Sequence, residues 1–158
     1  MTPEKAVELT ELARGRLVTV WVTVDMDLDA LVSWVGKGNP DWVQLHGEQS
    51  SDYVEALGPK AFYAVGLQED VHVEAALAAP GSWVLVDARD EVQKGGTGKL
   101  APLELARRVS AERPTIMAGG LNPENVAGRI ASVMPAGVDT ASGVESSPGC
   151  KDPTKVRL

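Results

Sequence analysis

Thr115-Ile116-Met117-Ala118-Gly119-Gly120-Leu121-Asn122-Pro123-Glu124-Asn125-Val126 reads as a short apolar strand passing through a glycine turn directly into a capped helix. Asn122, Pro123 and Glu124 provide an N-cap, a proline at the first helical position and a first-turn acid ahead of Val126, Ile130 and Val133. A strand that feeds a helix through so short a bend is the repeating unit of parallel α/β proteins. The same rhythm recurs in both directions. Apolar runs fall at Leu17–Val24, Trp42–His46, Ala61–Val65, Trp83–Asp87 and Gly137–Ala141. Trp83-Val84-Leu85-Val86 is apolar at every position, as expected for a strand buried on both faces.

Helical spacing fills the intervals. Leu28, Leu31, Val32 and Val35 lie on one helical face behind Asp27 as N-cap. Tyr53, Val54 and Leu57 follow Ser50 and Ser51, and Thr2-Pro3-Glu4 starts a first helix carrying Ala6, Leu9 and Ala13. Fainter patterns predict helices over Asp70–Ala79 and Leu103–Glu112. The order is one helix, five strand–helix units and a last strand. That order predicts a parallel sheet with right-handed crossovers, hence an α/β fold. A complete (β/α) barrel needs eight strands and typically ~250 residues. Six runs in 158 residues therefore leave an open sheet or an incomplete barrel.

Composition agrees with one such domain over residues 1–158. Apolar residues make up 44% of the chain and aromatics 4%, so the core must come from Val, Leu, Ala and Ile. A net charge of −7 argues against nucleic acid and anionic membrane as partners, though backbone N–H groups can still hold an anion locally. The single cysteine, Cys150, rules out an internal disulfide framework. No apolar run reaches the ~20 residues of a membrane span, and Met1-Thr2-Pro3-Glu4-Lys5 lacks the features of a signal peptide. A cytoplasmic setting is expected.

The glycine-rich segments lie where strands end, the side on which parallel α/β proteins build their sites. Lys94-Gly95-Gly96-Thr97-Gly98-Lys99 follows the strand ending at Asp87 and fits neither a Walker loop nor GxGxxG. Alone, it is as readily a flexible loop as a ligand site. Ala118-Gly119-Gly120 opens into a helix N-terminus, where unpaired N–H groups favour an anion. Ala141-Ser142-Gly143 follows the last strand. Three such turns at successive strand ends predict a phosphate cradle, with Gly96, Thr97, Gly98, Gly119, Gly120, Ser142 and Gly143 as its residues.

These segments also carry a resemblance. Val43-Gln44-Leu45-His46-Gly47-Glu48, Leu85-Val86-Asp87, Gly95–Lys99, Ala118–Val126, Val138–Ser146, Pro148-Gly149 and Lys151-Asp152 occur in this order, and together they are similar to the signature segments of phosphoribosylanthranilate isomerase. The resemblance implies an incomplete TIM-type (β/α) barrel of six parallel strands, corresponding to family strands 3–8. It implies an Amadori rearrangement of N-(5-phosphoribosyl)anthranilate in tryptophan biosynthesis, with no metal and no organic cofactor. Its ligand would be a phosphorylated small molecule, or phosphate or sulfate. Such chemistry needs an acid to protonate the furanose ring oxygen and a base to take the C2 proton of the resulting iminium. By resemblance the acid is Asp87; read without it, Asp87 is a strand-end residue capping a loop.

Departures from the family pattern accompany the match. The base is a Cys in a Lys-Ile-Cys-Gly-like segment on family strand 1, and these 158 residues hold no such segment. The Arg of the family's Ser-Pro-Arg segment is also missing, and the sequence stops where the last helix would begin. Cys150, in Pro148-Gly149-Cys150-Lys151-Asp152, reads as incidental rather than as a relocated base, and His46 as a strand-end histidine rather than a ligand contact. The family's Phe-Asp-Trp is replaced by Leu100-Ala101-Pro102. A truncated, catalytically inactive relative is expected, with two open sheet edges that favour a homodimer. The competing expectations are an isomerase completed by a partner chain and an assembly module without catalysis.

Overall fold

A computed structural model describes all residues of the chain except residue 48 and residues 89–101. The chain folds as two compact units, Met1–Ala64 with Pro80–Ser82, and Val65–Ala79 with Trp83–Leu158.

The first unit opens with helix α1 (Pro3–Ala13), started by Thr2, whose side chain accepts from the Lys5 N–H at 3.3 Å. Strand β1 (Val20–Val24), helix α2 (Leu28–Gly38), strand β2 (Trp42–His46), helix α3 (Asp52–Leu57) and the start of strand β3 (Ala61–Gly66) follow. Asp27 caps α2 through the Ala30 N–H at 3.0 Å, as its place before the apolar stripe requires. The strands pair in parallel, Val20↔Trp42 through Val24↔His46 and Val43↔Ala61 through Leu45↔Tyr63.

Alternation sends the two faces of β1 to different fates. Trp21 packs toward the helices, its indole N–H donating to Thr10 Oγ1 at 2.8 Å. Only a glycine at 38 leaves room for that ring, since a Cβ there would lie 2.3 Å from it. Thr10 is itself buried, and its hydroxyl donates to the Ala6 carbonyl. The other face leaves Val20, Val22 and Val24 exposed at 46%, 61% and 63%. An apolar groove of about 460 Å³ runs beside the strand, lined by Pro3, Ala6, Leu9, Trp21, Leu31 and Trp34 among others. The strand is shorter than the apolar run Leu17–Val24 suggests. Leu17 stays in the turn after α1, where its N–H donates to the Ala13 carbonyl; the Thr19 carbonyl accepts from the Trp42 N–H of β2, while its own N–H and hydroxyl turn to the Asp41 carboxyl. Those two hydrogen bonds from Thr19 hold the Asp41 carboxyl below its ordinary titration range.

In the second unit, helix α4 (Asp70–Ala78), strand β4 (Val84–Asp87), helix α5 (Pro102–Glu112), strand β5 (Thr115–Ala118), helix α6 (Val126–Val133) and the two-residue strand β6 (Gly137–Val138) repeat the unit. Val84, Val86, Met117, Val73, Ala76, Leu105 and Val109 form its buried core, each 0–1% exposed. β4 pairs with β5 and β5 with β6, all parallel. All six strands of the α/β reading are thus present and parallel in their pairings. The last is shorter than the Gly137–Ala141 run, because beyond Val138 only the Asp139 N–H, donating to the Met117 carbonyl, extends the ladder. The chain then makes a 3-10 turn (Ser142–Val144), an antiparallel hairpin of β7 (Glu145–Ser147) and β8 (Cys150–Lys151), and helix α7 (Pro153–Arg157), none of which the hydrophobic pattern foretells.

Arg113 closes this unit from beneath. Its guanidinium donates to the carbonyls of Ala76, Leu77 and Ala79 at the end of α4, and to that of Trp83 before β4. Burial lowers its pKa from the ordinary arginine value, and the four carbonyls compensate the charge there. Arg113→Met should lower the unfolding free energy by about 2–3 kcal/mol, the scale of several bonds to a charged donor, with urea denaturation as the measurement. An unchanged midpoint would remove this role.

Candidate functional site

The second unit gathers most of the predicted site residues at the carboxyl ends of its strands. Asp87 is the last residue of β4 and sits in register with Ala118, which ends β5. Alternation turns Val84, Val86 and Ala88 into the helix-packed core, so Asp87 shares the opposite face with Leu85. The backbone around Asp87 is fixed from both sides. Its carbonyl accepts from the Leu67 N–H at 3.0 Å, and the Ala88 N–H donates to the Ala118 carbonyl at 3.0 Å.

Immediately beyond Ala118 the glycine turn begins. Gly119 is buried and Gly120 exposed, with φ of 106° and 62°. Asn122 then does what its place in the sequence predicts, its side-chain oxygen accepting from the N–H groups of Glu124 and Asn125, both at 3.0 Å. Asn125 reaches back, accepting from the Asn122 N–H and donating to the Gly120 carbonyl at 3.0 Å. These reciprocal bonds displace the helix start from Pro123 to Val126, although the Val126 N–H already donates to the Asn122 carbonyl. Arg129, one turn into α6, donates to the carbonyls of Ala88 and Gly119 at 3.5 and 3.3 Å.

The turn after β6 lies against this one. Thr140 Oγ1 donates to the Leu121 carbonyl at 2.6 Å. Gly143 comes so near the same oxygen that a Cβ would be 1.7 Å from it. Two of the predicted turns, Gly119-Gly120 and Ser142-Gly143, are therefore neighbours, and Gly143 is glycine because two loops meet there. From the other side Lys151 Nζ donates to the Ala141 carbonyl at 2.7 Å and to Glu145 at 2.9 Å, while Lys155 Nζ donates to the Glu145 carbonyl. The Lys151 ammonium, with the Gly149 N–H, holds the Glu145 carboxyl below its ordinary range.

The remaining predicted residues lie elsewhere. Gly96, Thr97 and Gly98 are outside the described residues. His46 ends β2 in the first unit, exposed, beside Gly47. Cys150 is exposed on the β7–β8 hairpin. Among the described residues no group of three or more His, Cys, Asp or Glu could hold a metal. Nor is any described helix long and apolar enough to cross a membrane. Sequence reading misses Thr140, Arg129 and Lys151 as site residues; Arg129 carries no local signal, and Thr140 and Lys151 stand out only as members of motifs. Chemically, strand-end glycine turns with a capped helix behind them can present backbone N–H groups to an anion, next to a carboxyl on the neighbouring strand.

Comparison with known proteins agrees with this geometry. The family model described as N-(5'-phosphoribosyl)anthranilate (PRA) isomerase matches residues 1–158. The chain belongs to this family. The isomerase of Syntrophus aciditrophicus is 37% identical over 158 residues, which is 99% of this chain and 69% of that protein. A crystal structure of mutually generated monomers of the dimeric enzyme from Thermotoga maritima superposes with a TM-score of 0.82 at 27% identity, covering 99% of this chain and 76% of that one. A phosphoribosylanthranilate isomerase in complex with reduced 1-(o-carboxyphenylamino)-1-deoxyribulose 5-phosphate superposes at 0.80 with 28% identity and 76% coverage. The phosphoribosylanthranilate isomerase match thus extends over the whole chain and supports the TIM-type reading of its α/β fold.

Two outcomes check the loop packing. Gly143→Ala should separate the turns, seen as loss of amide-exchange protection on both sides of Leu121; full retention would contradict the contact. The Glu145–Lys151 tie depends on an ionised carboxylate whose folded-state pKa is depressed. Its contribution is therefore present at neutral pH and lost as pH falls below the ordinary value of 4.5. The protection of the Gly149 amide, relative to its intrinsic exchange rate at each pH, should fall in that window, and in Glu145→Gln it should be low throughout.

Proposed function

We propose that these 158 residues carry the acid-bearing and phosphate-holding part of a phosphoribosylanthranilate isomerase, act in the cytoplasm as a single domain, and do not turn over the substrate unaided. The observation that carries the reading is the meeting of the Gly119-Gly120 and Ser142-Gly143 turns at Leu121, on the strand ends next to Asp87. Their N–H groups would hold the 5-phosphate of N-(5-phosphoribosyl)anthranilate or of its rearranged product, and inorganic phosphate or sulfate more weakly. Asp87, in its protonated form, would pass a proton to the furanose oxygen as the ring opens. The rearrangement then needs a base at C2. The one cysteine of these residues is Cys150, exposed on the β7–β8 hairpin rather than at a strand end, which supports an incomplete catalytic set.

A second reading, an isomerase completed by another chain, draws on the exposed face of β1. Val20, Val22 and Val24 form an uncovered apolar row on a strand bearing no charged residue. Such a face invites pairing. A homodimer is the form proposed for the isolated chain, and light scattering at micromolar concentration should give twice the monomer mass; a monodisperse monomer would contradict it.

Turnover of N-(5-phosphoribosyl)anthranilate by the folded chain, followed by loss of anthranilate fluorescence, is the test. The expected result is no rate above the uncatalysed background, with inorganic phosphate affinity unchanged in Asp87→Asn. A clear rate abolished by Asp87→Asn but not by Cys150→Ser would overturn the inactive reading in favour of the second.

A further inference from the structure

We infer that Thr140 is a positioning residue of the anion site, holding the Ser142-Gly143 turn in register with the Gly119-Gly120 turn through the Leu121 carbonyl. The inference rests on the phosphate reading above and names a residue that neither the glycine pattern nor the acid–base chemistry requires.

The need for such a residue follows from the weakness of β6. Only Gly137 and Val138 pair with β5, opposite Ile116 and Met117, and the Asp139 N–H makes the last ladder bond, to Met117. From Thr140 onward the sheet no longer specifies where the backbone goes. Three residues of chain separate that last bond from Gly143, whose N–H is useful to an anion only if it points where those of the neighbouring turn point. A flexible turn would have to be ordered by the ligand at each binding event, which weakens affinity.

The 2.6 Å bond from Thr140 Oγ1 to the Leu121 carbonyl removes that freedom. Leu121 is a firm anchor: it is 2% exposed within the core cluster of the unit, and it is followed directly by Asn122, whose side chain ties down the turn before α6. Gly143 closes onto the same oxygen from the other end of the turn. The two contacts fix both ends of residues 140–143 against one carbonyl group. Lys151, bonded to the Ala141 carbonyl, steadies the middle from the hairpin side, but its side chain is half exposed and its ammonium is shared with Glu145. The hydroxyl is therefore the part of residue 140 that matters. Valine would keep the branched shape and lose the bond; serine would keep the bond and lose the methyl group.

Calorimetric titration of the wild-type chain with inorganic phosphate, alongside Thr140→Val and Thr140→Ser, tests this, with thermal unfolding of each protein recorded without phosphate. The expected result is a phosphate Kd roughly three- to tenfold weaker in Thr140→Val, the scale of one hydrogen bond, with Thr140→Ser restored to within about twofold of wild type. A stabilising role alone would lower the unfolding midpoint of Thr140→Val and leave its Kd unchanged, and that result overturns the inference. Equal loss in Thr140→Ser and Thr140→Val also overturns it, because the methyl group rather than the hydroxyl would then be responsible. A wild-type chain that gives no phosphate response removes the underlying site reading, and the inference with it; that outcome is distinct from a wild type that binds and a valine variant that binds equally well.

Discussion

Parallel pairing of β4 with β5, from Val84↔Thr115 to Asp87↔Ala118, sends both chains out of the sheet on the same side. Because the ladder is parallel, the carboxyl of Asp87 and the glycine turn after Ala118 must emerge as neighbours. Because successive residues alternate, Val84, Val86 and Met117 are then committed to the helix-packed core and Asp87 to the opposite face. Short β-to-α bends complete the arrangement, since each helix must start close to the strand end that feeds it. The candidate site thus follows from register and alternation, with little left to individual side chains until the chain leaves β6.

What could be read in the sequence was local. Thr2 and Asp27 announce helix starts because a cap and the N–H it accepts from lie three residues apart, whereas Asn122 makes the same kind of local bonds ahead of a helix that begins only at Val126. The strands through Asp87 and Ala118 announce themselves because burial on both faces demands unbroken apolar runs. What could not be read was long-range. Arg113 gathers carbonyls thirty or more residues away, and Trp21 chooses Thr10 and Gly38 as its surroundings. Thr140 looks like any residue after a strand until Leu121 is beside it. The β7–β8 hairpin is polar and short, so neither period marks it. Apolar runs overestimated β1 and β6 for a related reason: hydrophobicity marks residues that could join a ladder, whereas hydrogen bonding to a partner decides which do.

The first unit poses a different physical question. Its helix-facing side is well made, with Trp21 seated over Gly38 and Tyr63 donating its hydroxyl to the Ser50 carbonyl, and burial raises that phenol above its ordinary pKa. On the other side β1 presents three valines, each about half exposed or more. The relatives that match this chain are longer, so that it spans 69% of one and 76% of another. We propose that this exposed face belongs to a protein that holds the phosphate end of its substrate and depends on a further group for catalysis.

That proposal turns on whether the two turns bind phosphate through their backbone. Following the backbone amide resonances of the labelled chain during titration with inorganic phosphate is the most direct test. The account predicts saturable shifts concentrated at Gly119, Gly120, Ser142 and Gly143, with the groove beside β1 unaffected. Shifts confined to exposed lysines, or a titration that leaves those four amides where they were, would contradict it.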